Sequence, residues 1–170
     1  MTDIPSILEV AKNIQNVAPR HVEPPDEGFK ASSEQVLPFS LVKNTRGYIE
    51  KVVNQVNGCY EKGWFDACSV MLRRLIETLI IEAFEHHKIA SKIKNSAGDF
   101  LYLSDLINTA LQEKTWNLTR NTKRALPKIK DIGDKSAHSR RYNAHKKDVD
   151  KLIDDVRVVV QEFLYLAKLK

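Results

Sequence analysis

Along most of the chain, apolar side chains recur every three or four positions, and over no useful length do they alternate with polar ones. Spacing of three to four marks one face of an α-helix, whereas strict alternation marks a half-buried strand. The pattern predicts an all-α protein. Ile4, Ile7, Leu8, Ala11 and Ile14 predict a first helix from Ile4 to about Val17. The stretch from Ala18 to Gly28 contains Pro19, Pro24 and Pro25, through which a helix cannot continue, so it reads as a strap or linker. A second helix is expected from about Ser40, its N-cap, to Lys62, with Val42, Tyr48, Ile49, Val52, Val53, Val56 and Tyr60 on its apolar side. Gly63 is its expected stop, because glycine tolerates the left-handed conformation past a helix end.

The third helix, from Trp64 to about His87, carries the widest stripe: Phe65, Cys68, Met71, Leu72, Leu75, Ile76, Leu79, Ile80 and Phe84. Such width predicts a central, well-buried helix. After a loop at Asn95–Gly98, a fourth helix is expected from about Leu103 to Lys114, with Ser104 as a cap. A fifth runs near Thr119 to Ile132, with Pro127 expected to kink or split it. The last runs from about Asn143 to Leu169 on Val149, Leu152, Ile153, Val156, Val159, Val160, Phe163 and Leu166. The architecture expected is an antiparallel helical bundle of about five to six helices. Residues 1–37 form an N-terminal helix plus strap, and residues 38–170 form the bundle domain.

Composition narrows the class. An apolar fraction of 42% allows a core without staples. Cys59 and Cys68 lie on helical segments with no neighbouring metal-ligand pattern, so they read as buried thiols. The chain shows no secretory signal, and its longest apolar-rich run is broken by Glu77 and Glu82, so a cytoplasmic protein with no membrane span is expected. Charge is unevenly spread. Residues 1–40 carry six acidic and three basic side chains, whereas residues 114–147 carry eleven Lys or Arg against only Asp131 and Asp134. Such asymmetry points to a polyanionic partner, or else to a solvated basic face. Arg120, Lys123, Arg124, Lys128, Lys130, Lys135 and Arg141 are the expected nucleic-acid contacts.

Two places break the apolar logic. Arg73 and Glu77 are four apart on the central helix and share a face, as an ion pair tying a neighbouring helix or as the charged wall of a site. The second is Gly133-Asp134-Lys135-Ser136-Ala137-His138. If that stretch is helical, Asp134 and His138 share a face, and a carboxylate beside an imidazole orients it and favours its protonation. Gly133 either lets another backbone approach or ends the preceding helix. Arg140 and His145, five apart, offer a phosphate ligand and a proton carrier. Tyr142 and Trp116 could stack bases or pack. No phosphate-cradling glycine loop, HExxH or nucleophile elbow is present, which points away from nucleotide triphosphatases and zinc hydrolases. No cofactor or metal is expected.

Three segments together resemble the HEPN superfamily, and within it a bacterial domain-of-unknown-function family found near restriction and phage-defence genes. They are Tyr48–Glu50 through Gly58–Gly63, Ala67–Glu77, and Gly133–His138. The resemblance covers about residues 38–168. It implies a HEPN-like bundle, often a homodimer, that binds RNA, another nucleic acid or a protein partner. Catalytic members are similar to one another in an Arg-x(4–6)-His motif used for metal-independent RNA cleavage. Here no arginine stands in the window before His138, although Arg140 to His145 satisfies the spacing. A ribonuclease reading would use His138 or His145 as acid–base group, Arg140 on the phosphate and Asp134 as orienting carboxylate. A purely structural subunit of a larger complex is the third expectation.

Overall fold

The wide apolar stripe after Trp64 becomes the axis around which the other helices gather. The computed structural model describes residues 33–170 of the chain, and the expected first helix and proline-rich strap lie outside the described residues. The described helices are α1 (Gly47–Glu61), α2 (Phe65–His86), α3 (Leu103–Gln112), α4 (Arg120–His138), α5 (Lys146–Asp150) and α6 (Ile153–Leu166), with 3-10 turns at Phe39–Leu41 and Ala90–Ile93. Among the described residues there is no strand, only an isolated antiparallel bridge between Lys94 and Phe100. The all-α expectation holds.

α2 packs against α1, α4, α6 and α3. Its Leu75, Leu79, Ile80 and Phe84 are completely buried, and each such side chain contributes about 1.5–3 kcal/mol of burial. Across it, α1 supplies Ile49, Val53 and Val56, α4 supplies Leu126 and Ile129, and α6 supplies Val156, Val159, Val160 and Phe163. The core reaches further towards the N-terminus than the expected division at residue 38. Val36 and Leu37 are fully buried. The Asn57 amide donates to Leu37 O at 2.8 Å and accepts from Leu37 N at 3.1 Å. Arg157 donates to Val36 O at 2.9 Å and to Gln35 O at 2.6 Å.

Several boundaries differ from the periodic reading. Ser40 is not an N-cap: it sits inside the 3-10 turn, and Asn44 adopts φ 66° before α1 begins. Val42 is buried from this turn rather than from the helix. Tyr48, expected on the apolar side, is half exposed, and its hydroxyl donates to Glu82. Ser104 does not cap α3, whose N-cap is Tyr102, and α3 stops at Gln112. Gly63, as expected, ends α1 with φ 76°. α4 is not split at Pro127, and it continues past Ile132 to His138. The last helix starts at Lys146, not Asn143, and a tight turn at Lys151–Leu152 divides it. There, Leu152 N bonds Val149 O at 2.9 Å, three residues back instead of four.

Candidate nucleic-acid interface

α4 buries Thr122, Ala125, Leu126, Ile129, Ile132 and Gly133, a helical stripe that turns the rest of the helix outward. Arg120, Lys123, Arg124, Lys128, Asp131, Lys135 and His138 are therefore exposed. The N-terminus of α4 is filled from within the protein. Thr119 caps it by accepting from Thr122 N at 3.3 Å. Glu162 on α6 accepts from Thr119 N at 2.7 Å, from Thr119 Oγ1 at 2.8 Å and from Thr122 Oγ1. A carboxylate there also suits the positive end of the helix dipole.

The second half of α4 lies close on α2. Gly133 makes this possible, since a Cβ at that position would stand 2.6 Å from Arg73 Cβ and 3.1 Å from Ser69 O. One position on, Asp134 receives Arg73 Nε at 2.7 Å and Lys130 Nζ at 2.5 Å. Arg73 also approaches Glu77 at 3.6 Å. Partial burial pushes the Asp134 carboxyl up, but the bonds from Lys130 and Arg73 outweigh it and hold the group below its ordinary value. Arg73 ties the two helices, Glu77 pairs with it on α2, and both line a surface hollow of about 450 Å³ shared with Val70, Arg74, Thr78 and Ile81.

His138 takes no part in this network. Both Asp134 oxygens are bonded to Arg73 and Lys130, and His138 is exposed, its side chain without a hydrogen bond among the described residues. The pairing expected from i,i+4 spacing is not formed, because a cation on the adjacent helix offers the carboxylate a stronger partner. Past α4, Arg140 and Arg141 are exposed. Ala144 N donates to Asp66 at the start of α2, at 2.9 Å, and so pins the loop. His145 is the N-cap of α5: its backbone N–H donates to Asp148 at 3.0 Å and its Nδ1 donates to Asn143 O at 2.9 Å.

Most cations of the basic segment fall into two groups. Lys128 meets Asp155 at 2.9 Å, Lys130 meets Asp134, Lys135 meets Asp131 at 2.7 Å, and Lys146 meets Asp150 at 2.9 Å. Lys123 donates to Asn117 at 3.2 Å. Arg120, Arg124, Arg140 and Arg141 have no acidic partner among the described residues. Beside α4 lies a groove of about 410 Å³ lined by Lys128, Asp131, Ile132, Lys135, Tyr142, Asp148, Lys151 and Leu152. Burial, then the charges of Asp148 and Asp66, push the Tyr142 phenol up, so it stays a neutral donor. Lys151 was not among the expected contacts. It lies beyond the basic segment, and only the turn at Lys151–Leu152 brings it to the groove. Trp116 is not available for stacking: it is buried edge-on to Phe84 at 4.9 Å, and its Nε1 donates to Ala110 O at 3.2 Å.

Among the described residues, no three His, Cys, Asp or Glu side chains converge as metal ligands, and no helix is long and apolar enough to cross a membrane. Burial pushes the Cys68 thiol up to about 12, so at neutral pH it is a packing group. The family described as Domain of unknown function (DUF4145) matches residues 54–170, from the middle of α1 to the end of the chain. No curated protein and no solved structure matches the chain. The chain belongs to the DUF4145 family.

Proposed function

We propose that this member of the DUF4145 family is a HEPN-like, dimeric binding module that holds the phosphate backbone of RNA on α4 and the turn after it. The observation that supports this reading is the set of exposed arginines, Arg120, Arg124, Arg140 and Arg141, left without an acidic partner among the described residues. Guanidinium groups with open donor forks suit phosphate oxygens. Lys128, Lys135 and Lys146 of the same segment are in exposed ion pairs, which exchange for phosphate at low cost. The resemblance to HEPN proteins supports the dimer and a setting in restriction or phage defence. Salt-titrated binding of short RNA and DNA tests the reading. Affinity should fall steeply with salt, and the quadruple arginine-to-alanine variant should lose most of it. No measurable binding at low salt would end it.

A second reading is a metal-independent ribonuclease. It is favoured by one observation: His138 and Arg140 are both exposed and unengaged, so a phosphodiester can reach an imidazole and a guanidinium in one short stretch. Cleavage of labelled RNA in the presence of a chelator, lost in His138→Ala or His145→Ala, would support it. Cleavage or toxicity that survives both substitutions together removes the assignment.

A further inference from the structure

We infer that the groove beside α4 takes one nucleotide unit, with its base against Tyr142 and its phosphate among Lys128, Lys135 and Lys151. As far as the nucleotide is part of an RNA strand, this rests on the binding reading above. The groove is built from two elements. The buried register of α4 puts Ile132 on its floor, only 6% exposed, with Lys128 and Lys135 on its rim. The α5–α6 turn contributes Leu152, 8% exposed, and the exposed Lys151. Tyr142, partly buried against the core, completes the lining. Apolar floor, aromatic ring and cationic rim are the parts that a base and its phosphate require. The volume of about 410 Å³ lies low in the range of about 300–1,000 Å³ typical of small-ligand clefts.

Three lysines and two acids line the groove, so its cations exceed its carboxylates by one. Asp131 is engaged with Lys135, and Asp148 accepts the backbone N–H of His145. Lys151 has no acidic partner among the described residues. The ion pairs of Lys128 and Lys135 are solvent-exposed, with their lysine side chains 58% and 53% accessible, and yield readily to a phosphate. The groove differs in kind from the outward arginines. Those can hold any polyanion, whereas the groove requires a base turned out of its stack. It therefore favours single-stranded RNA over a duplex.

The test compares a short single-stranded RNA with a duplex of the same sequence, on wild type, Tyr142→Leu and Lys151→Gln. Tyr142→Leu keeps apolar bulk and removes the ring. It should weaken the single strand by about tenfold and leave the duplex within about twofold. Lys151→Gln, at an exposed position that does not endanger folding, should weaken the single strand by about threefold. Equal losses on both RNAs would overturn the groove and leave the binding reading intact. If wild type binds neither RNA, the binding reading fails, and a second arm decides the groove. In that arm, adenosine monophosphate and ribose 5-phosphate are titrated while the amide resonances of Ile132, Lys135, Lys151 and Leu152 are followed by NMR. Shifts with the nucleotide but not the sugar phosphate sustain a groove for free nucleotides. No shifts, or equal shifts with both, overturn it.

Discussion

Gly133 touches Arg73: a Cβ on the glycine would stand 2.6 Å from the arginine's own Cβ, an atom fixed to the α2 backbone. Two opposing effects decide the outcome of Gly133→Ala. The alanine gains about 0.5–1 kcal/mol of helix propensity. Overpacking of a closed helix contact costs about 1–3 kcal/mol, and here the obstacle cannot swing aside. The substitution should lower the urea midpoint. An unchanged or raised midpoint would show that α4 and α2 separate freely at this level.

Asp134→Asn should destabilise the protein at neutral pH and flatten its acid dependence. The carboxylate lies between Arg73 and Lys130, and its pKa is below the ordinary value. A depressed pKa contributes stability that is present above the ordinary carboxylate value of about 4 and lost as pH falls through the folded value. Wild type and variant should therefore converge at low pH in urea midpoints measured from pH 7 downwards. If Asp134 only ties helices, any RNA cleavage or binding should keep its pH profile in the folded variant.

Glu113 is a second acid-sensitive staple, independent of the basic face. Lys92 bonds it at 2.8 Å, and Thr115 Oγ1 and the backbone N–H groups of Lys114 and Thr115 add to this. These bonds, Lys92 first, lower its carboxyl from 4.5 to about 2. Its contribution is complete above pH 4.5 and is lost between there and about pH 2. Glu113→Gln should cost stability at pH 7 and cost progressively less in that window. A pH-independent difference would point to packing instead of charge.

Asn57→Ala should loosen the N-terminal side of the bundle. The amide satisfies both the N–H and the C=O of Leu37, which are otherwise buried without partners. Leaving such groups unpaired costs about 1–3 kcal/mol. Hydrogen exchange should rise first at Val36 and Leu37. If exchange rises uniformly instead, the clamp is part of the global unfolding unit.

How far the sequence reveals this structure follows from the range of each interaction. α2 was legible to within a residue at each end because its stripe of Cys68, Leu72, Leu75, Leu79 and Ile80 repeats over many turns. The start of α1 was not, because Ser40 meets the local rules for a cap while the break is made by Asn44 in the left-handed region. Arg73 and Glu77 were legible as a pair because i,i+4 spacing is local. The Arg73–Asp134 bond spans 61 residues and exists only because Gly133 lets two helices touch. The same long-range contact withdrew Asp134 from His138. Likewise, the basic count for residues 114–147 omits Asp150 and Asp155, which lie later in the chain and neutralise Lys146 and Lys128.

That partial neutralisation gives a prediction in which binding improves. Asp131 is 60% accessible and bonds only Lys135 among the described residues. As an exposed i,i+4 pair it stabilises the helix by only a few tenths of a kcal/mol, so Asp131→Asn should fold normally. It removes one negative charge from the outward face of α4 and frees one ammonium for phosphate. RNA affinity at low salt should rise by a few-fold, and the slope of log affinity against log salt should steepen by up to about one. Arg124→Ala should do the reverse: weaker binding, and a slope shallower by about one. The two substitutions act on the same face with opposite sign, so their combination should return near the wild-type value. If Asp131→Asn leaves binding unchanged while Arg124→Ala abolishes it, the lysine rim lies outside the RNA footprint and the arginines alone carry the contact.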